Sequence, residues 1–177
     1  MEIYLIRHTT PDVVKGVCYG QSEVPLKNTF EEEAEKILQN LPENIEIIYS
    51  SPLSRCLRFA DFLSSRLSVP VVKDERLKEL NFGKWEMKKW DEINPVQLQQ
   101  WMDDYVSVRC PDGESYRDLA ERANTFLSQL RSKNFIRIAV IGHNGLIKAM
   151  HSIANGNSLK ASMEISCSYG EIIKIIL

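Results

Sequence analysis

The sequence predicts an α/β fold built on a mostly parallel, doubly wound sheet, and three observations carry that prediction. Short apolar runs at Ile3–Ile6, Ile45–Tyr49, Val69–Val72 and Ile136–Ile141 alternate with longer segments whose apolar residues recur at helical spacing. Two of those runs stop abruptly in polar residues, Arg7-His8 and Gly142-His143, at the carboxyl ends where an open α/β sheet holds its ligands. The length of 177 residues, 44% hydrophobic and 26% charged, suits one domain, 1–177, with a short lid inserted at about 85–113.

The first strand, Ile3 to Ile6, is followed by an irregular stretch from Asp12 to Leu26 that contains Gly16, Gly20 and Pro25 and reads as a loop over the strand's end. Phe30, Ala34, Ile37, Leu38 and Leu41 then mark a helix, with Asn28 or Thr29 as its cap and Glu31-Glu32-Glu33 as a solvated first turn that favours the helix dipole. After the second strand, Ser51 is a natural N-cap and Pro52 the first helical residue of a helix carrying Leu53, Leu57, Ala60, Leu63 and Leu67. Arg55 falls in its first turn, where a cation opposes the dipole and needs an anion as partner. Pro70 places the third strand at the sheet edge.

Beyond it, Leu80, Phe82 and Trp85 can wall a carboxyl at Glu79, with Glu86 as the rival acid. The stretch from Trp85 to Val106 is rich in Trp and Met and holds a helix from Pro95. Its Trp90, Trp101 and Met102 can line a pocket, although aromatics at such spacing more often belong to a core. A turn and cap at Pro111–Ser115 precede an amphipathic helix through Leu119, Ala123, Phe126, Leu127 and Leu130. The strand to Ile141 delivers His143 to the start of a helix that ends at Asn155-Gly156. Met163–Cys167 and Glu171–Ile176 read as a closing strand pair around Ser168-Tyr169-Gly170, and His151 as a structural or surface histidine.

Bulk chemistry narrows the function. Lys and Arg number 22 against 24 Asp and Glu, a net charge of −2, so nothing global points to nucleic acid or an anionic membrane surface. Cys18, Cys56, Cys110 and Cys167 are scattered without paired spacing and read as reduced cytoplasmic thiols. Three histidines without ligand-spaced neighbours give no metal site, and no apolar stretch reaches the ~20 residues of a membrane span. What remains is a local cluster: Arg7-His8, Arg55, Glu79 and His143 all sit at strand or strand-to-loop ends, which share one edge in a doubly wound sheet. Two arginines and two histidines around one acid suit a phosphate monoester, whose oxygens guanidinium forks take bidentately.

Leu5-Ile-Arg-His8, Ser50-Ser-Pro-Leu-Ser-Arg55, Leu77-Lys-Glu-Leu-Asn-Phe-Gly-Lys-Trp-Glu86 and Gly142-His-Asn-Gly145 resemble, in order, the four signature segments of the histidine phosphatase superfamily, which includes the cofactor-dependent phosphoglycerate mutases. The resemblance implies a phosphoglycerate mutase-like three-layer α/β/α sandwich. It also implies a phosphatase without metal or cofactor that acts on a small-molecule phosphomonoester. His8 would be the nucleophile, Glu79 the proton donor, and Arg7, Arg55 and His143 the groups binding the phosphoryl. The chain departs from the family at Thr9-Thr10-Pro11, where Gly-Glu-Thr is usual, and at Val14, near where an Asn often stands. Gln21 and Asn144 are the candidates to take over those phosphate contacts. The short lid favours hydrolysis over phosphoryl return, and Cys18-Tyr-Gly-Gln-Ser-Glu-Val-Pro-Leu26 is most similar to the α-ribazole phosphatases of cobalamin assembly.

Overall fold

The computed structural model describes all 177 residues. Five strands, β1 (Glu2–Arg7), β2 (Ile47–Ser50), β3 (Val71–Lys73), β4 (Arg137–Gly142) and β5 (Ile172–Ile176), form one sheet in the order β3-β2-β4-β1-β5. The pairings β1–β4, β2–β4 and β2–β3 are parallel, and only β5 runs antiparallel, against β1. Alternate residues of the central strands point to opposite faces, so each face must be apolar if helices cover both. Ile138 and Val140 face one core with α4 (Tyr116–Leu130) and α5 (Asn144–Ala154). Ala139 and Ile141 face the other, with α1 (Phe30–Gln39) and α2 (Ser54–Leu67). The result is the three-layer α/β/α fold the sequence predicts, with β3 at the edge.

The register places the site. Arg7 pairs with Gly142 and Ser50 with Ile141, so the chain leaves β1, β4 and β2 side by side at His8, His143 and Ser51. α4 starts where expected: the Ser115 hydroxyl and the Asp118 carboxylate cap each other's backbone N–H groups.

Several local expectations change. Thr29 makes no side-chain cap; its hydroxyl donates to Glu33, which also receives the Thr10 N–H at 2.8 Å, so Glu33 anchors the loop after His8 while Glu31 and Glu32 stay exposed. Ser51 does not cap α2: the helix begins at Ser54 with Leu53 as its N-cap, and the Ser51 hydroxyl bonds His143 and accepts the Leu53 N–H at 3.4 Å, ahead of the helix. The closing strand pair does not form. Ala161–Glu164 is a 3-10 turn held by the Ser162 hydroxyl on the Leu159 carbonyl, and β5 instead spends its hydrogen bonds on β1.

Between β3 and α4 the chain runs through 3-10 turns at Gly83–Trp85 and Trp90–Glu92 into α3 (Pro95–Asp103), whose N-cap is the Asn94 side chain. A small separate core of Cys18, Trp85, Ile93 and Cys110 ties this segment to the loop after β1. Gly83 has φ +54°, and a Cβ there would meet the Pro111 carbonyl at 2.1 Å, so the close approach of the segment's two ends needs glycine. All four cysteines are free and buried, and no helix is long and apolar enough to cross a membrane.

Candidate active site

His8 is 2% exposed, and its Nδ1 lies 2.7 Å from the Thr9 carbonyl oxygen. A carbonyl can only accept, so Nδ1 carries the hydrogen and Nε2 carries the lone pair. Burial, then the charges of Arg55 and Arg7, lower its pKa from 6.5 to about 3, so the ring is neutral at neutral pH. Its ring centroid is 5.2 Å from that of His143, which is fully buried and held well below 6.5 by burial and then by Arg55. His143 Nε2 shares a 2.8 Å hydrogen bond with the Ser51 hydroxyl.

The two arginines are held by carbonyls. Arg55 is 1% exposed in the first turn of α2 and donates from Nη2 to the Gly20 carbonyl at 2.6 Å and from Nη1 to that of Ser22 at 2.8 Å. No carboxylate neutralises it, so its charge is available to a ligand. Arg7 donates from Nη1 to the Cys167 carbonyl at 2.6 Å, and its guanidinium lies 3.8 Å over the Tyr169 ring. The Nε of each arginine is buried without a partner, a cost that an anion in the cavity would relieve.

Glu79 reaches the same place from the loop after β3. Its carboxylate accepts the N–H of Leu80 and that of Gly145, the second residue of α5, both at 2.9 Å. Arg122 of α4 braces it from behind, donating to the carbonyls of Arg76, Lys78 and Glu79. Leu80 and Phe82 stand beside Glu79 as expected, but Trp85 turns away into the small core and is not part of the wall.

Arg7, His8, Arg55, Glu79, His143 and Asn144 all line one cavity of about 270 Å³. Of the seven residues assigned from the sequence to catalysis or phosphate contact, only Gln21 lies outside that lining; its side-chain amide donates to the Glu79 carbonyl at 3.0 Å. Glu86 is not a rival acid. It receives the N–H groups of Gly20, Gln21, Ser22 and Phe82 and the Ser22 hydroxyl. Burial pushes its pKa up, but the Ser22 and backbone hydrogen bonds outweigh that and hold it below the usual carboxylate range. Cys18 and Tyr19, from the loop after β1, also line the cavity. Sequence reasoning missed Ser51 as a partner of His143, and Tyr169, whose hydroxyl meets that of Tyr19 at 2.5 Å with the two rings over Arg7 and Arg55. The Tyr169 position had no period or motif to reveal it.

A neutral imidazole with a free Nε2, two guanidiniums and an opposing carboxyl are the parts of a phosphoryl-transfer site, and with the fold they define the class: an α/β phosphatase or mutase of the phosphoglycerate mutase-like kind. The profile of the histidine phosphatase superfamily (branch 1) matches residues 3–177, and the chain belongs to that family. It is 24% identical to "Phosphoserine phosphatase 1" of Hydrogenobacter thermophilus, over 94% of this chain and 82% of that protein. It is 31% identical to "Probable phosphoglycerate mutase GpmB" of Escherichia coli, over 74% of this chain and 63% of that protein. The α-ribazole phosphatase from Shigella flexneri shares its fold at a TM-score of 0.92 and 22% identity, covering all of this chain and 91% of that one.

Proposed function

We propose that the chain is a phosphomonoesterase working through a phosphohistidine at His8, with charge neutralisation by its own arginines. The observation that carries this reading is the His8 Nδ1 contact with the Thr9 carbonyl, which leaves Nε2 unprotonated in a cavity shared with two guanidiniums. Arg7, Arg55 and His143 take the phosphoryl oxygens. His8 Nε2 attacks phosphorus, the ester P–O bond breaks, and Glu79 gives its proton to the leaving oxygen. Water then attacks the phosphohistidine, Glu79 takes back a proton, the N–P bond breaks and inorganic phosphate leaves. Asn144, in the same lining, is assigned a contact to the bound ester, whereas Gln21 acts through the Glu79 backbone. The segment at about 85–113 is read as the lid.

The substrate we propose is α-ribazole 5′-phosphate or the corresponding adenosylcobalamin phosphate. The support is the likeness of Cys18–Leu26 to α-ribazole phosphatases and the brevity of the lid. Brief incubation with a 32P-labelled ester should leave acid-labile label on the wild type and none on His8→Ala. Turnover should be fastest with α-ribazole 5′-phosphate among that ester, phosphoserine and 3-phosphoglycerate. Equal rates on all three make it a broad phosphatase; phosphoryl return to phosphoglycerate makes it a small mutase. No label and no turnover leave a phospho-ligand binding module.

A further inference from the structure

The phosphate cavity has a neighbour. A second cavity of about 410 Å³ shares Glu79, Phe82, Trp90 and Asn144 with it and extends beneath α3 to Trp101, Met102 and Tyr105. Nine of its twelve lining residues are hydrophobic, and Glu79 is its only charged one. Trp90 and Trp101 lie nearly parallel at 24° with centroids 6.1 Å apart, and Phe82 stands edge-on to both. The expectation that these tryptophans belong to the core is half met: each packs on the small core yet stays part-exposed to line this cavity.

Because Glu79 belongs to both linings, the oxygen it would protonate lies where the two cavities join, and the alcohol bonded to that oxygen must extend into the second. We infer that this second cavity is the leaving-group subsite, and that it selects phosphate monoesters of uncharged alcohols bearing a flat aromatic ring. Parallel and edge-on aromatic walls complement a ring of that kind and favour it over an aliphatic chain. The charge rule follows from the same lining. A carboxylate on the alcohol would enter an apolar chamber with no cation to meet it and one carboxyl already present, which costs both desolvation and repulsion. Phosphoserine and phosphoglycerates carry such a carboxylate, so the subsite disfavours them.

The inference rests on the phosphatase reading of the first cavity but not on the identity of any one substrate. The test uses alkyl esters of matched leaving-group basicity: 2-(2-naphthyl)ethyl phosphate, ethyl phosphate and 3-phosphoglycerate. Wild type should prefer the naphthyl ester to ethyl phosphate by about tenfold or more in kcat/KM, the worth of a well-filled apolar pocket, and should turn over 3-phosphoglycerate least. Trp101→Leu should shrink the naphthyl-to-ethyl ratio. Met102 is 51% exposed on α3, so Met102→Arg should fold and place a cation in the lining. It should narrow the gap between 3-phosphoglycerate and the naphthyl ester by about tenfold. Turnover with a naphthyl-to-ethyl ratio near one, or with 3-phosphoglycerate preferred, overturns the subsite and leaves the phosphatase standing. No turnover of any ester and no label on His8 overturns both.

Discussion

The imidazole of His8 is fixed by the residue that follows it: Nδ1 donates to the Thr9 carbonyl at 2.7 Å, and Thr9 is itself fully buried. A protein that makes this contact does not need solvent to choose the tautomer of the imidazole proposed as its nucleophile. Burial and the two arginines hold the ring neutral down to about pH 3, so the nucleophile should not be lost by protonation near pH 6.5. Once the ester's second ionisation, at about pH 6, is allowed for, kcat/KM should show no further acid limb between pH 6.5 and pH 4.5. A pH–rate profile in that window, with an ester of known ionisation, measures this directly. A residual limb near 6.5 would mean that His8 titrates as an ordinary histidine.

The same burial makes stability depend on pH. Above pH 6.5 His8 and His143 are neutral in both folded and unfolded chains, and their full contribution is present. As pH falls below 6.5 the unfolded imidazoles bind protons that the folded ones refuse, so stability is lost down to about pH 3, where folded His8 begins to protonate. The slope should approach ~1.4 kcal/mol per pH unit for each histidine. Urea unfolding at pH 7.5 and pH 5.0 reads it while most carboxylates are still ionised, and His8→Asn should lose one proton's share of the change.

Much of this was legible in the sequence, and the limits have physical causes. β1 and β4 end in Arg7-His8 and Gly142-His143, and a parallel sheet brings such ends together, so the convergence followed from apolar runs that stop at polar residues. Glu79 joined them as a carboxyl at a strand-to-loop end among apolar neighbours, but what holds it there was not legible, since its backbone is braced by Arg122 gathering three carbonyls, a long-range contact with no local pattern. Ser51 looked like a helix cap because caps and histidine partners use the same hydroxyl. The closing strand pair failed because Met163–Cys167 resembles a strand in composition, while its backbone groups bond elsewhere: the Ile165 N–H donates to the Ser162 carbonyl, and the Met163 and Cys167 carbonyls accept from Lys148 and Arg7.

Glu79→Gln keeps the side-chain volume and removes the transferable proton. On alkyl phosphates, whose leaving oxygen needs that proton, kcat should fall by ~10²–10⁴. On 4-nitrophenyl phosphate the leaving phenolate needs little help, and the loss should be much smaller. Comparing the two esters under single-turnover conditions separates proton donation from mere positioning. An equal loss on both would assign Glu79 a structural task.

Gly145 is the close neighbour that Glu79 permits no larger. A Cβ there would lie 2.6 Å from Glu79 Oε1, a contact neither the carboxylate nor the start of α5 can absorb without moving. Gly145→Ala should therefore displace Glu79 from the Gly145 N–H and reproduce the ester dependence of Glu79→Gln, though less deeply. A variant that melts normally and loses alkyl-phosphate turnover selectively is the expected result.

Glu86 and Arg55 never touch, yet one loop connects them. The Glu86 carboxylate gathers the N–H groups of Gly20, Gln21 and Ser22, and the carbonyls of Gly20 and Ser22 then face Arg55 Nη2 and Nη1. Glutamine at 86 would turn an NH2 toward donors that need an acceptor, so Glu86→Gln should loosen the loop and with it the guanidinium. Arg55→Lys should cost ~10²–10³ in kcat, because a single ammonium cannot meet two carbonyls and a phosphoryl oxygen with a planar fork. If Glu86 acts through Arg55, its substitution should matter far less once Arg55 is already lysine. The double variant should then fall short of the product of the two single losses, and the shortfall measures the coupling. Fully multiplicative losses would mean that the Gly20–Ser22 loop serves catalysis by some route other than Arg55.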